Sequence, residues 1–137
     1  LLNNKIKIKK EYGNIPLIEC YPGKLNQVFL NMISNAIYAI KKRFDDVDGG
    51  LLTISTSSDS ASNQIIIKIA DNGTGMDEQT RKRLFEPFFT TKDVGEGTGL
   101  GLSIAYNTIN KHNGQIIVNS EIGVGTEFIL KLPLIQK

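Results

Sequence analysis

A long irregular segment, residues 71–101, interrupts a chain whose other segments are regular. It opens with Asp-Asn-Gly-Thr-Gly at residues 71–75 and closes with Gly-Glu-Gly-Thr-Gly-Leu-Gly at residues 95–101. Alternating strand patterns precede it and a helical pattern follows it directly. A structureless segment of this length inside one compact domain is usually functional or disordered. Because its glycines form two groups beside regular elements, the pattern favours a binding loop on a rigid framework.

The regular segments predict a two-layer α+β sandwich. Residues 22–44 have apolar side chains at three- and four-residue spacing, which is typical of a helix with one buried face. Shorter helices are predicted at 77–84 and 102–112. Strand patterns occur in six places, which are 5–9, 15–18, 51–57, 64–70, 115–120 and 126–132. The strands fall in pairs and do not alternate singly with helices, so a doubly wound α/β fold is disfavoured.

Composition narrows the possible functions. A length of 137 residues suits one domain, residues 1–137, and the chain is expected to be a fragment of a longer protein. A net charge of +2 is too small to favour nucleic-acid binding. The single cysteine, Cys20, excludes an internal disulfide. No apolar run reaches the roughly 18 residues that span a bilayer. This domain is therefore expected to be cytoplasmic and to make no direct membrane contact, and the sequence leaves open whether the full-length protein is anchored in a membrane.

One face of the long predicted helix is polar. Its side chains are those of Lys24, Gln27, Asn31, Asn35, Tyr38 and Lys42. A solvated surface is the ordinary interpretation of such a face. However, two asparagines inside a helix each cost about half a kcal/mol relative to alanine. An asparagine oxygen can also complete a magnesium shell that is shared with phosphate oxygens.

The turn that begins with Asp71 follows a strand end, so its carboxylate can lie in a cleft. Gly73 and Gly75 would then let the backbone pass close to a flat ligand. The carboxylate is suited to accept a hydrogen bond from an exocyclic amine such as that of adenine. The alternative is a plain turn, because Asp, Asn and Gly are common turn residues.

The second glycine group leads at once into a helix, where backbone amides bind anions. It matches neither a Walker loop nor a dinucleotide fingerprint, and a flexible linker is the alternative. Between the two groups, residues 84–92 contain three phenylalanines that could anchor the loop or form a lid. Lys92 follows them and could reach a terminal phosphate as a point charge.

In this order, the motifs resemble those of the ATP-binding domain of sensor histidine kinases. That domain belongs to a superfamily with DNA gyrase, the chaperone ATPases and mismatch-repair ATPases. Residues 31–36 resemble its asparagine box, 71–75 its first glycine box, 85–92 its phenylalanine box and 97–102 its second glycine box. The resemblance implies the Bergerat ATP-binding fold, with a mixed, mostly antiparallel sheet covered on one face by three helices.

The resemblance also implies ATP and Mg²⁺ as ligands and a role for each motif. Asp71 would bind the adenine amino group with support from Thr126, and Asn35 would coordinate magnesium. Asn31 would order phosphates or waters, and Lys92 would contact the γ-phosphate. The phosphate side would be formed by Gly97, Thr98, Gly99, Leu100 and Gly101. One departure is Tyr38, where many family members have lysine, and Lys42 one turn later is a possible substitute.

The implied reaction is phosphoryl transfer to a histidine on a separate, dimeric phosphoacceptor domain, and indirectly to a response regulator. Hydrolysing relatives carry glutamate at the position of Asn31, and an amide is no base at neutral pH. His112 lacks the sequence setting of a phosphoacceptor and is interpreted as structural. The alternatives are a gyrase-type hydrolysing clamp, a regulatory nucleotide-binding module and an anti-sigma-type serine kinase.

Overall fold

The computed structural model of the protein describes residues 6–45, 47–89 and 101–135. Within these ranges the chain forms five strands and three helices. In chain order they are β1 (Ile6–Tyr12), α1 (Pro22–Phe44), β2 (Gly50–Asp59), β3 (Gln64–Asp71), α2 (Glu78–Arg83), α3 (Gly101–Lys111), β4 (Gln115–Glu121) and β5 (Gly125–Pro133).

The strands form one sheet in the order β1-β2-β3-β5-β4. Strand β1 pairs with β2 in parallel, whereas the other three pairings are antiparallel. Tight hairpins join β2 to β3 and β4 to β5, and Asn63 supplies a left-handed residue, φ 55°, at the first. The predicted mixed, mostly antiparallel sheet is therefore confirmed.

Helices α1 and α3 cover one face of the sheet. The buried side of α1 carries Leu25, Val28, Met32, Ala36 and Ile40. Alternate residues of β3 and β5 meet it, which are Ile65, Ile67, Ile69, Phe128, Leu130 and Leu132. Burying each large aliphatic side chain contributes about 1.5–3 kcal/mol. The period of α1 and the alternation of the strands thus place one apolar core between the two layers.

Two features differ from the sequence-based expectation. The predicted strand at residues 15–18 is wrong, because this segment has no regular structure and Leu17 is 97% exposed. Pro16 has no N–H to give to a ladder, and the sheet already ends at β1. Helix α2 contains no buried residue, so within the described residues the layer over the sheet consists chiefly of α1 and α3.

A long-range hydrogen bond fixes the start of α1, whereas a local one closes the end of α3. Tyr21 precedes α1 and has no side-chain capping bond, but its backbone N–H donates to His112 Nε2 at 3.0 Å. Gly114 closes the end of α3 by donating its N–H to the Ile109 carbonyl at 2.9 Å. Among the described helices, none is long and apolar enough to cross a membrane.

Candidate functional site

A cavity of about 90 Å³ lies between α1, the end of β3 and the start of β5. Its lining consists of Asn35, Ala39, Asp71, Thr74, Gly75, Met76, Leu84, Leu102, Thr126 and Phe128. Four residues that the sequence singled out therefore meet here: Asn35, Asp71, Gly75 and Thr126. They come from a helix, a turn and a strand that only tertiary packing brings together.

Asp71 is the acidic group of this cavity. It is the last residue of β3 and pairs in register with Thr126 of β5. Its Oδ1 accepts the Gly73 N–H at 2.8 Å, and the Thr126 backbone N–H also donates to its carboxylate. Burial raises the pKa of the Asp71 carboxyl above its ordinary value, although the two backbone hydrogen bonds oppose the shift. The result is a partly desolvated hydrogen-bond acceptor with a fixed direction.

The two asparagines of α1 are linked to each other and to α3. Asn35 Nδ2 donates to the Asn31 carbonyl at 2.9 Å, and Asn31 Nδ2 donates to the Gly101 carbonyl at 3.1 Å. Because the nitrogen of the Asn35 amide is directed to the helix backbone, its oxygen is the atom suited to a metal. Asn31 thereby ties the start of α3 to α1. A Cβ at Gly101 would meet Asn31 Cγ at 3.6 Å, an ordinary contact.

Magnesium would depend on oxygens other than carboxylates at this site. Among residues 6–45, 47–89 and 101–135, no group of three or more His, Cys, Asp or Glu is arranged to hold a metal. Mg²⁺ commonly takes few protein ligands and keeps waters and substrate phosphates in its shell. A single amide oxygen from Asn35 fits that kind of shell.

The turn after Asp71 packs against two neighbours through its glycines. A Cβ at Gly73 would lie 2.5 Å from the Ala39 carbonyl carbon of α1. Gly75 has φ 72°, and a Cβ there would overlap the Glu121 carbonyl at the end of β4. The Gly123 N–H also donates to the Thr74 carbonyl at 2.8 Å. Both glycines are thus required because the turn packs closely on α1 and on the end of β4. The sequence-based expectation was instead that these glycines let the backbone approach a ligand.

Two further residues hold the same turn and were not predicted. Asn72 accepts the Leu51 N–H at 2.7 Å and donates to the Gly49 carbonyl at 2.9 Å, which ties the turn to the start of β2. Arg43 Nη1 donates to the carbonyls of Asn72, at 2.8 Å, and of Gly73 and Val124, at 3.4 and 3.3 Å. No local pattern marks Arg43, because its acceptors lie about 30 and 80 positions away.

Several predicted residues lie outside the described part of the chain. These are Lys92, Gly97, Thr98, Gly99 and Leu100. Earlier in the phenylalanine segment, Phe85 stacks on Tyr106 of α3 with ring centroids 5.1 Å apart. Phe88 is 73% exposed and has φ 68°. The phenylalanine segment thus contains both an anchored ring and an exposed one.

Lys42 and Tyr38 lie together on the polar face of α1. Lys42 Nζ is 5.7 Å from the centroid of the Tyr38 ring, within the range of a cation–π contact. The Lys42 ammonium group therefore lies beside the Tyr38 ring on this face of the helix. Whether Lys42 reaches a phosphate stays a prediction.

His112 has a structural position. It is 1% exposed, and its Nδ1 lies 2.8 Å from the Thr108 carbonyl. Since a carbonyl only accepts and the Tyr21 N–H only donates, Nδ1 carries the proton and Nε2 is the acceptor. Both ring nitrogens are engaged inside the protein, as expected of a residue that links α3 to the start of α1.

Residues 20–136 match the family described as histidine kinase-, DNA gyrase B-, and HSP90-like ATPase. The chain belongs to this family. Sporulation kinase E of Bacillus subtilis is 42% identical over 123 residues, 90% of this chain and 15% of that protein. The signal transduction histidine-protein kinase AtoS of Escherichia coli is 46% identical over 110 residues, 80% of this chain and 17% of that protein.

Solved structures of histidine kinases have the same fold. The catalytic domain of ThkA superposes with a TM-score of 0.78 at 29% identity, over 96% of this chain and 80% of that one. Full-length ShkA in complex with AMPPNP gives 0.81 at 27% identity, over 98% of this chain and 27% of that one. The resemblance drawn from the four motifs is therefore confirmed. The chain spans less than a fifth of the two curated relatives named above.

Proposed function

We propose that this domain binds Mg-ATP and transfers the γ-phosphoryl group to a histidine on a separate phosphoacceptor domain of its parent protein. The observation that carries the proposal is the common cavity of Asn35, Asp71 and Thr126. The cavity places an anionic hydrogen-bond acceptor for a nucleobase a short distance from a neutral oxygen that can bind a metal. A nucleoside triphosphate with bound Mg²⁺ would use both groups at once.

The base would bind at the end of β3. The Asp71 carboxylate is directed by two backbone N–H groups and is half-buried. An acceptor with this setting suits the exocyclic amine of adenine, and the apolar part of the lining, Met76, Leu84 and Phe128, suits the faces of a purine ring. Thr126 pairs in register with Asp71 and lines the same cavity, so its side chain would support the same edge of the base.

The phosphates would extend toward the start of α3. Asn35 would hold Mg²⁺, which neutralises phosphate charge, and Asn31 would fix α3 through its bond to Gly101. Amides at the start of this helix suit an anion. The contributions of Lys92 and of residues 97–100 to phosphate binding are part of the same proposal.

Transfer suits these residues better than hydrolysis. Asn31 has an amide where a hydrolase needs a carboxylate base, so no base at this position activates water. An imidazole nitrogen from the acceptor histidine would attack Pγ, the bond from Pγ to the bridging oxygen would break, and ADP would leave. This domain would contribute binding, orientation and charge neutralisation. His112 is not suited to be the acceptor because both its nitrogens are buried and engaged.

The test is to incubate the parent protein, with its helices upstream of this domain, with γ-labelled ATP. We expect label on protein that is lost in acid and stable in base, as for phosphohistidine. The isolated domain should bind ATP and remain unlabelled.

Rapid phosphate release without label would contradict transfer and favour the gyrase-type clamp. Base-labile label on an added protein would favour a serine kinase. Weak or absent ATP binding, with neither label nor hydrolysis, would favour a regulatory module. A response regulator is the expected final acceptor.

A further inference from the structure

We propose that Ser120 is a positioning residue that holds the base-binding turn in register with Asp71 and so sets the preference for a purine with an exocyclic amine. This inference rests on the proposed ATP site. Ser120 lies on β4, outside the four sequence motifs, and it also borders a second hollow on that side of Asp71. Its role follows from contacts that its hydroxyl makes with two separate segments, the turn that ends at Met76 and the start of β5.

The Ser120 hydroxyl is a junction of hydrogen bonds. Its Oγ accepts the Met76 N–H at 2.8 Å, donates to the Gly125 carbonyl at 3.1 Å and lies 2.8 Å from the Thr126 hydroxyl. Ser120 has one proton to give. With that proton on the Gly125 carbonyl, the Thr126 hydroxyl donates to Ser120 Oγ, and the hydroxyl joins the end of the turn to the start of β5.

The same junction continues to Asp71 through the sheet. Ser120 pairs in register with Thr126, and Thr126 pairs with Asp71, so the three residues form one row across β4, β5 and β3. Thr126 gives its backbone N–H to the Asp71 carboxylate. Ser120 therefore acts on the carboxylate by two routes, through Thr126 and through the turn that ends at Met76.

Removing the hydroxyl leaves these groups without their shared partner. In Ser120→Ala the Met76 N–H loses its acceptor in a half-buried place, and residues 73–76 lose a contact with the sheet. The Asp71 carboxylate would then keep its charge but lose its fixed direction. The loss should concern the contact with the exocyclic amine and leave the phosphate side unchanged.

The experiment measures the affinity of the domain for two nucleotides by calorimetry. One is ATP, and the other is purine riboside triphosphate, which lacks the 6-amino group. We expect Ser120→Ala to weaken ATP binding by about three- to tenfold and the analogue by less than twofold. In the parent protein, KM for ATP should rise with kcat unchanged. Ser57→Ala on the exposed part of β2 is the matched control and should change neither affinity.

Two further variants separate positioning from folding. Ser120→Cys keeps the shape of the side chain, but its thiol is a poor hydrogen-bond acceptor. It should therefore weaken ATP binding as Ser120→Ala does, and it provides the test if the alanine variant folds poorly. Ser120→Thr retains a hydroxyl and should restore ATP affinity. Equal weakening of both nucleotides, or unchanged ATP affinity in the alanine and cysteine variants, would overturn this role. If the unmodified domain binds no ATP, the proposed function fails and this inference fails with it.

Discussion

The carboxylate of Asp71 lies directly across the sheet from Thr126 and accepts its backbone N–H. Two strands that are more than fifty residues apart in sequence thus define the direction of one acidic group. The burial that shields this group also raises its pKa. The site therefore keeps a carboxylate in an environment that disfavours its charge, which is typical of a functional position.

The first prediction concerns ATP binding by Asp71→Ala. The variant loses a hydrogen bond from the ligand to a charged acceptor, which is worth roughly 1.5–3 kcal/mol. ATP affinity should therefore fall about ten- to a hundredfold, as measured by calorimetry. Asp59→Ala, at the far end of β2, is the control and should bind ATP normally. Unchanged affinity of Asp71→Ala would contradict the assignment of this residue to the base.

The second prediction is the pH dependence of Asp71→Asn stability without nucleotide. A raised carboxyl pKa means that the folded state holds the proton more tightly than the unfolded chain. The contribution of Asp71 to stability is then fully present below its ordinary pKa of 3.8 and is lost as pH rises through the higher folded-state pKa. The asparagine variant does not titrate, so its stability relative to the unmodified protein should increase over that window.

Urea denaturation of both proteins at acidic, mildly acidic and neutral pH measures this difference. The other titrating groups are common to both proteins and cancel in the comparison. A relative stability of Asp71→Asn that decreases as pH rises would show that the backbone hydrogen bonds to the carboxylate outweigh its burial.

The third prediction concerns the metal ligand Asn35. Replacing it by alanine removes the amide oxygen proposed for Mg²⁺ and leaves the base site intact. The enhancement of ATP affinity by Mg²⁺ should fall by about tenfold, whereas affinity in excess chelator should change little. Ser34→Ala, the exposed neighbour on α1, is the control. An equal loss with and without Mg²⁺ would point to a structural role for Asn35.

The fourth prediction compares two glycines that both have left-handed backbones. Gly75 and Gly123 have φ of 72° and 79°, so alanine at either position has a similar backbone cost of about 1 kcal/mol. A Cβ at Gly75 would overlap the Glu121 carbonyl, whereas no atom lies within 4 Å of one at Gly123. Gly75→Ala should therefore lose clearly more unfolding free energy and also weaken ATP binding. Equal losses of unfolding free energy would contradict the close packing of the turn on β4.

The fifth prediction concerns His112→Ala. The variant leaves the Tyr21 N–H without its acceptor and opens a cavity beneath the start of α1. Unfolding free energy should fall by about 2–4 kcal/mol, as measured by urea denaturation. Lys111→Ala, one residue earlier and exposed, should change it by less than about 0.5 kcal/mol. A loss as small as that of the control would contradict a structural role for this histidine.

The sequence by itself determined most of the secondary structure, and it determined the family. The bounds of α1 and of β2–β5 follow within a few residues from local periodicity and from Gly, Asn and Pro at their ends. The four motifs identified the ATP-binding family because their order and spacing are specific. Lys92 and residues 97–100 stay predictions, since they lie outside the described residues. These conclusions need only neighbouring residues, whose spacing decides which side of an element is apolar.

Only the tertiary structure decided how the turn after Asp71 is held. Ser120, Arg43 and Asn72 all bind it, yet none of them stands out in the sequence as a support for it. Sheet register and helix packing brought them to the turn from distant positions. The strand predicted at residues 15–18 is wrong for the same reason. A strand needs a partner strand in the sheet, and the local pattern at these residues has none. Hydrogen bonds between distant residues depend on how the layers pack, and local periodicity therefore cannot predict them.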